Sequence, residues 1–281
     1  MDKLAYPLPI EVICELIGIP TQDRPFLASW PRTQLCCTFE PSPLGATATA
    51  HPEGPDRLVE ADRIQQQLTD YFTPLIQRRR RDPGEDLISA LIAAQEHRDA
   101  LSTEEINATL RLLFVAGYEN MVNLIGQGTL ALLRHPEQWA ALGQDPSLAA
   151  AAVDEALRYD APFQFTRRVA LAELHIGGYR ISRGQHILAH LAAANRDPAR
   201  FPEPDRFDAH RADNHHLGFG TGIHACLGAR LAHLQAEIVF TTLTRRLTTP
   251  QLELDPPPYR TDVIRSLAEL PILAHITPRG A

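Results

Sequence analysis

The residues best suited to chemistry lie in one glycine-rich stretch, residues 216–228, which ends just after Cys226. Gly218, Gly220 and Gly222 alternate through it, and apolar residues at helical spacing follow the cysteine at once. Because glycine adopts tight and left-handed backbone conformations without steric cost, the pattern predicts a close turn that leads into a helix N-terminus. Free N–H groups and the helix dipole favour an anion there. The Cys226 thiolate could therefore bind a soft metal, and haem iron is one candidate.

Two other interpretations of this cysteine stay open on the residues alone. A lone cysteine in a loop is most often a small buried side chain that takes part in no reaction. A zinc site is the second alternative, because His215, His216 and His224 lie close to Cys226 in the sequence. However, this stretch contains no Cys-x-x-Cys or His-x-x-x-His pair, so the usual spacing of zinc ligands is missing.

The complete string from Phe219 to Gly228 resembles the haem-ligand loop of the cytochrome P450 family. It reads Phe-Gly-x-Gly-x-His-x-Cys-x-Gly, and every fixed position, Gly220 included, is filled. The resemblance implies that haem is the cofactor and that Cys226 is the axial thiolate ligand of its iron. It also implies that Phe219 packs beside the sulfur and that His224 reaches a haem propionate. Thiolate ligation favours O–O cleavage, which suits oxygen activation.

A long helix is predicted over about residues 103–134. Ser102 and Glu105 form a capping box at its start, apolar residues recur at three- and four-residue steps, and a His-Pro pair stops the pattern. Its middle contains Gly117 and, close by, Glu119. A glycine within a helix usually has a reason such as close packing, whereas an acid there is more often simply exposed.

The middle of this helix also resembles the family's helix on the oxygen-binding face of the haem, which reads Ala-Gly-x-acid-Thr. The match covers Ala116, Gly117 and Glu119, and the chain departs from it at Asn120, where threonine is usual. The resemblance implies that Ala116 and Gly117 face the cofactor and that Glu119 helps to deliver protons. Asn120 can donate and accept hydrogen bonds, but an amide is a poor proton relay.

Glu155 and Arg158 are spaced by three, so they lie on one face of a predicted helix and can pair. On the residues alone, an ordinary surface pair that contributes little stability is the alternative. The resemblance identifies them as the family's Glu-x-x-Arg signature. It implies that Arg206, within the segment 201–207, completes a structural triad on the haem side.

Residues 163–191 alternate between apolar and polar side chains around a Gly-Gly turn, which predicts the small β part of the fold. The resemblance implies that Arg168 and His216 bind haem propionates. It further implies that four residues line the substrate pocket: Leu112, Val115, Phe163 and Gln164.

Composition excludes several classes of function. The net charge is −7 and no basic stripe is present, so nucleic acid is not an expected partner. No run of 18 apolar residues or signal peptide pattern occurs, so we expect no membrane span and a cytoplasmic location. The four cysteines do not form a disulfide framework, and the adjacent pair Cys36-Cys37 is expected to serve packing. The run 78–81 of four arginines predicts a helix end, with a docking patch for an acidic protein as the alternative.

The resemblance runs through essentially the whole chain and is of the bacterial, soluble type. It implies one mainly α domain over residues 1–281 with a small β part, a cytochrome P450 fold that lacks its N-terminal helices and some strands of the main sheet. The expected activity is that of a haem-thiolate monooxygenase, which activates dioxygen to oxidise a small organic molecule in bacterial secondary metabolism. Ferredoxin and ferredoxin reductase would supply the electrons.

The alternative is a non-catalytic or accessory relative, or an inactive fragment, that acts through protein contacts. Because a member that lacks its N-terminal portion would leave a sheet edge and apolar surface uncovered, we also expect self-association or a partner that covers that region.

Overall fold

The computed structural model describes residues 1–28, 54–95, 101–260 and 264–277. The prediction for Cys36-Cys37 falls outside these ranges. The described residues are mostly helical with a small β part, as the sequence predicts. The helices are α1 (Pro7–Ile17), α2 (Arg24–Ala28), α3 (Gly54–Arg81), α4 (Leu87–Gln95), α5 (Thr103–Arg134), α6 (Pro136–Gln144), α7 (Ala149–Tyr159), α8 (Leu191–Asn195) and α9 (Ala229–Arg246).

The strands of the described ranges form antiparallel pairs. They are β1 (Thr166–Val169), β2 (Leu174–Ile176), β3 (Tyr179–Ile181), β4 (His186–Ala189), β5 (Leu247–Leu252), β6 (Tyr259–Arg260), β7 (Ser266–Leu267) and β8 (Ile272–Ile276). Strand β1 pairs with β4, β2 with β3, β5 with β8 and β6 with β7. The predicted β part therefore contains β1–β4, and Gly177 and Gly178 adopt φ of 57° and 83° at the turn between β2 and β3.

The long helix α5 begins and ends where local signals place it. The Ser102 backbone N–H donates to Glu105 at 2.7 Å, and the Glu105 N–H donates to the Ser102 hydroxyl at 3.1 Å. This reciprocal capping box satisfies two of the N–H groups that a helix start leaves free. The helix ends at Arg134, just before the His-Pro pair.

The chain divides into two compact units, and α5 contributes to both. The first unit comprises Asp2–Val122 and contains α1–α4. Its core includes the rings of Phe72 and Phe114, which meet edge to face with centroids 6.4 Å apart. The four arginines predicted to form a helix end occupy the last turn of α3.

The second unit comprises Met1 and Asn123–Ala281 and contains α6–α9 and all described strands. Helix α9 packs against α6 and α7. A Cβ atom at Gly128 would lie 2.2 Å from the buried Phe240 ring, so α5 and α9 can touch there only because residue 128 is glycine.

Candidate cofactor site

The glycine-rich stretch forms the tight loop that the sequence predicts. Gly220 and Gly222 adopt φ of 68° and 67°, in the left-handed region that glycine tolerates best. The Cys226 N–H donates to the carbonyl of Phe219 at 2.9 Å and so closes the loop. Helix α9 begins three residues after the cysteine, at Ala229.

Cys226 is exposed, which excludes the buried, unreactive cysteine. Two large apolar neighbours, Ile223 and Leu227, are 97% and 86% exposed. A thiol flanked by apolar side chains suits a large apolar cofactor whose metal accepts a soft ligand, so these residues fit haem. Among the described ranges, no group of three or more His, Cys, Asp or Glu side chains could hold a metal ion, which disfavours the zinc interpretation.

His216 lies at the start of the loop, but the structure assigns both of its ring nitrogens to protein partners. Its Nδ1 accepts the Gly218 N–H at 3.0 Å, and its Nε2 lies 3.3 Å from Asp154 Oδ1. Both ring nitrogens of His216 thus face protein atoms, and its predicted contact with a propionate stays a prediction. A Cβ at Gly218 would lie 2.9 Å from the Leu157 Cβ, so this glycine permits close packing of the loop on α7.

The other two predicted propionate ligands are exposed. Arg168 lies on β1, where its guanidinium donates to the Thr166 hydroxyl and to the Arg167 carbonyl, both at 2.8 Å. His224 lies in the short 3₁₀ turn of the loop. Their roles toward a propionate stay predictions.

Glu155 and Arg158 form a fully buried ion pair on α7, with 0% exposure of both side chains. Arg158 Nε and Nη2 donate to the two Glu155 oxygens at 2.8 Å each. The same guanidinium donates to the carbonyls of Asn195, Pro204 and Arg206. One buried arginine thus ties α7 to the segment that leads to the loop. The interpretation as a surface pair is wrong.

The third charged side chain of this cluster is Arg211. The prediction that Arg206 completes the triad is therefore corrected. Arg211 Nε lies 3.2 Å from Glu155 Oε2. Arg206 contributes only its carbonyl, and its side chain is 57% exposed beside Glu203. Glu203 adopts φ of 48°, and its carbonyl accepts the Arg206 N–H. Because of this turn, the Arg206 side chain is directed to solvent.

The predicted residues of α5 lie in the first unit. A Cβ at Gly117 would lie 2.8 Å from Ile13 Cδ1, so close packing against α1 accounts for this glycine. Asn120 Nδ2 donates to the Ala116 carbonyl at 3.0 Å, and Glu119 is only 3% exposed. The surface acid that the residues alone favoured is therefore excluded, while the catalytic assignments of Glu119 and Asn120 stay predictions.

The four predicted pocket residues are divided between the units. In α5, Leu112 is half exposed and Val115 is buried. In the second unit, Phe163 pairs with Ile264 in an isolated β-bridge, and Gln164 Nε2 donates to the Ala161 carbonyl at 2.6 Å. Their contact with substrate stays a prediction.

Three residues that position the loop were not predicted from the sequence: Asn195, Asp154 and His233. Asn195 is fully buried, and its Oδ1 accepts the Leu217 N–H at 2.7 Å. Asp154 contacts both His216 and His233, at 3.3 and 3.0 Å. Burial works to raise the pKa of Asp154, but the hydrogen bonds from the two histidines outweigh it and hold the pKa below its usual range. No local pattern signals these contacts, since the partners lie far apart in the sequence.

A family model described as Cytochrome P450 matches residues 56–271, which is most of the chain. The chain belongs to the cytochrome P450 family. Members of this family bind haem and act as haem-thiolate oxidoreductases. No helix among the described residues is both long and apolar enough to cross a membrane.

Curated bacterial cytochromes P450 resemble nearly the whole chain. The biotin biosynthesis cytochrome P450 of Bacillus subtilis is 41% identical over 275 residues, which cover 97% of this chain and 66% of that protein. The 6-deoxyerythronolide B hydroxylase of Saccharopolyspora erythraea is 38% identical over 276 residues, covering 97% and 64%. The first relatives are thus matched over 60% to 66% of their own length.

Solved structures of the family share the fold. Ligand-free CYP164A2 of Mycobacterium smegmatis matches with a TM-score of 0.86 at 43% identity, covering 96% of this chain and 68% of that one. P450BioI, in complex with acyl carrier protein ligated to hexadec-9Z-enoic acid, matches with a TM-score of 0.86 at 39% identity, covering 98% and 68%.

Proposed function

We propose that this protein is a haem-thiolate monooxygenase that uses dioxygen to oxidise a small organic molecule. The observation that carries the proposal is the exposed Cys226 thiol in a closed glycine-rich loop directly before α9. A cysteine thiolate is the axial ligand of haem iron in this class of oxygen-activating enzyme. Bound haem would supply the oxygen activation.

The chain's own residues would hold the cofactor and manage protons. Cys226 provides the iron ligand, while Arg168 and His224 are exposed donors suited to the propionate carboxylates. The family resemblance assigns proton handling to Glu119 and gives Asn120 the place of the usual threonine. Because the Asn120 amide is bonded to the Ala116 carbonyl, it can orient groups but relays protons poorly.

The proposed substrate and partners follow the relatives. Two of them carry names from biotin biosynthesis and 6-deoxyerythronolide B hydroxylation, which supports a role in bacterial secondary metabolism. We propose ferredoxin and ferredoxin reductase as the electron donors and the cytoplasm as the location.

Carbon monoxide binding to the reduced, haem-loaded chain tests this function. Thiolate ligation shifts the Soret band strongly to the red, so wild type should show that band and Cys226→Ala should lose it. Cys14→Ala is the matched control, because Cys14 is a fully buried cysteine in the other unit and should leave the band unchanged. A wild-type spectrum typical of histidine ligation would contradict the proposal.

The second candidate is a non-catalytic cytochrome P450 that acts through protein contacts. Asn120 favours it, because an amide in place of the usual threonine relays protons poorly. One assay distinguishes the two functions: electron consumption is measured with ferredoxin, its reductase and a reduced nicotinamide cofactor. A chain with the thiolate band but no electron consumption at any substrate would support the second candidate.

A further inference from the structure

Four side chains of the second unit join the two ends of the cysteine loop, and we call them the Asp154 clamp: Asp154, His216, His233 and Glu237. Asp154 Oδ1 lies 3.3 Å from His216 Nε2 and 3.0 Å from His233 Nε2. His233 Nδ1 lies 2.6 Å from Glu237 Oε1. One carboxylate oxygen thus meets a histidine at the start of the loop and a histidine of the helix that follows it.

The contact with Gly218 fixes the tautomer of His216. A backbone N–H can only donate, so His216 Nδ1 must be the acceptor and the ring hydrogen must lie on Nε2. That hydrogen points at Asp154 Oδ1. Asp154 therefore selects the tautomer that can accept the Gly218 N–H.

His233 is held from both sides. Each of its ring nitrogens faces a carboxylate oxygen, of Asp154 or of Glu237. The contact with Asp154 connects α9 to α7 seven residues after Cys226.

The clamp is screened from water most where it meets the loop. The His216 side chain is 7% exposed, compared with 22% for His233 and 40% for Asp154. Gly218 packs directly on Leu157 of α7, so a small displacement of His216 would move the loop backbone as well.

We propose that Asp154 is a positioning residue for Cys226, which acts through His216 on the start of the loop and through His233 on the helix after it. This inference rests on the proposed haem ligation by Cys226. It assigns His216 to the protein scaffold in place of the haem propionate.

Hydrogen exchange on the haem-free chain tests the clamp without any activity. In Asp154→Ala, both histidines lose their common acceptor, and the Gly218 amide should exchange roughly tenfold faster, as expected for one lost hydrogen bond. Asp154→Asn retains an oxygen acceptor and should restore most of the protection. Asp213→Ala is the matched control, since Asp213 lies three residues before His216 but pairs with Arg200. Unchanged Gly218 exchange in Asp154→Ala would overturn the clamp.

The carbon monoxide complex tests the link to Cys226. Asp154→Ala should lower the thiolate-ligated fraction of bound haem at least twofold, with Asp154→Asn and Asp213→Ala close to wild type. A full thiolate fraction in Asp154→Ala would overturn the positioning role. If wild type itself lacks the thiolate band, the proposed function fails, whereas the exchange measurement still decides the clamp.

Two further variants complete the test. His233→Ala breaks only the link to α9, so it should produce a smaller loss of thiolate ligation and remains measurable if Asp154→Ala is insoluble. His216→Ala should accelerate Gly218 exchange before any haem is added. If His216→Ala instead changes only haem affinity, His216 is a propionate ligand and the inference is wrong.

Discussion

At the scale of single residues, two cysteines of the same chain occupy opposite environments. Cys14 is fully buried in α1, and burial raises the pKa of its thiol to about 12. Cys226 is exposed in its glycine-rich loop. Since only the thiolate is nucleophilic, the two side chains should differ greatly in reactivity.

Alkylation should therefore separate the two thiols. In the folded haem-free chain at pH 8, iodoacetamide should modify Cys226 and leave Cys14 unmodified, and haem loading should protect Cys226. Mass spectrometry of the peptides measures both, with the denatured chain as the control in which both react. Modification of Cys14 as fast as that of Cys226 would contradict the burial argument.

The amide at residue 120 should affect how electrons are used. Because Asn120 replaces the usual alcohol, Asn120→Thr should lower the hydrogen peroxide released per nicotinamide cofactor consumed, by roughly twofold or more. Asn120→Val has the shape of threonine without its hydroxyl and serves as the matched control. If valine lowers the peroxide as much as threonine, or threonine raises it, the missing hydroxyl at residue 120 does not control peroxide release.

At the scale of elements, a buried ion cluster connects α7 to the chain before the cysteine loop. Glu155 accepts from Arg158, Arg211, Asn214 and the Asp208 backbone. Such a cluster mainly stabilises one arrangement of elements, since removing one partner leaves a buried charge uncompensated.

Two arginines five residues apart should therefore differ in their effect on stability. Arg211→Ala should lower the free energy of unfolding by about 3 kcal/mol, because it removes one of the two arginines that pair with the buried Glu155 carboxylate. Arg206→Ala should cost less than about 1 kcal/mol, because that side chain is largely exposed. Urea unfolding measures both values, and an equal loss for the two variants would restore Arg206 to the triad.

The start of α4 should make stability depend on pH. Burial works to raise the pKa of Asp86, but hydrogen bonds from Ser89 and the contact with Arg79 outweigh it and lower the pKa. A depressed carboxyl pKa contributes stability above the unfolded-state pKa, near 3.9, and this contribution is lost as pH falls through the folded pKa.

Asp86→Asn should thus be less stable than wild type at pH 7, and the difference should shrink below about pH 4. Thermal unfolding across this range measures it. The control is Asp82→Asn, at an exposed position four residues earlier. Its difference in stability from wild type should not shrink as the pH falls. If Asp86→Asn is still less stable than wild type by the same amount at pH 3, Asp86 acts through packing and not through its charge.

At the scale of the whole molecule, the second unit presents large apolar side chains to solvent. The most exposed are Ile223, Leu227, Leu171 and Tyr179. Large apolar side chains exposed to solvent favour association.

We therefore expect the haem-free chain to self-associate at micromolar concentration and haem loading to reduce this association, because Ile223 and Leu227 flank the proposed iron ligand. Light scattering on gel-filtration peaks, with the haem absorbance recorded on the same peak, measures both. A haem-free monomer at every concentration would show that these side chains do not drive association.

The sequence by itself determined the elements whose signals are local. The capping box at Ser102 and the His-Pro pair after Arg134 define α5, and the alternating glycines predict the loop that presents Cys226. These patterns can be recognised because the interactions behind them join residues only a few positions apart. The string that ends in Gly228 also led to the family.

Only the tertiary structure decided which distant side chains meet. The second arginine that pairs with Glu155, beside Arg158, is Arg211 and not Arg206. His216 meets Asp154 across 62 residues of sequence. Such contacts depend on how helices and loops pack in space, and no spacing along the chain encodes them.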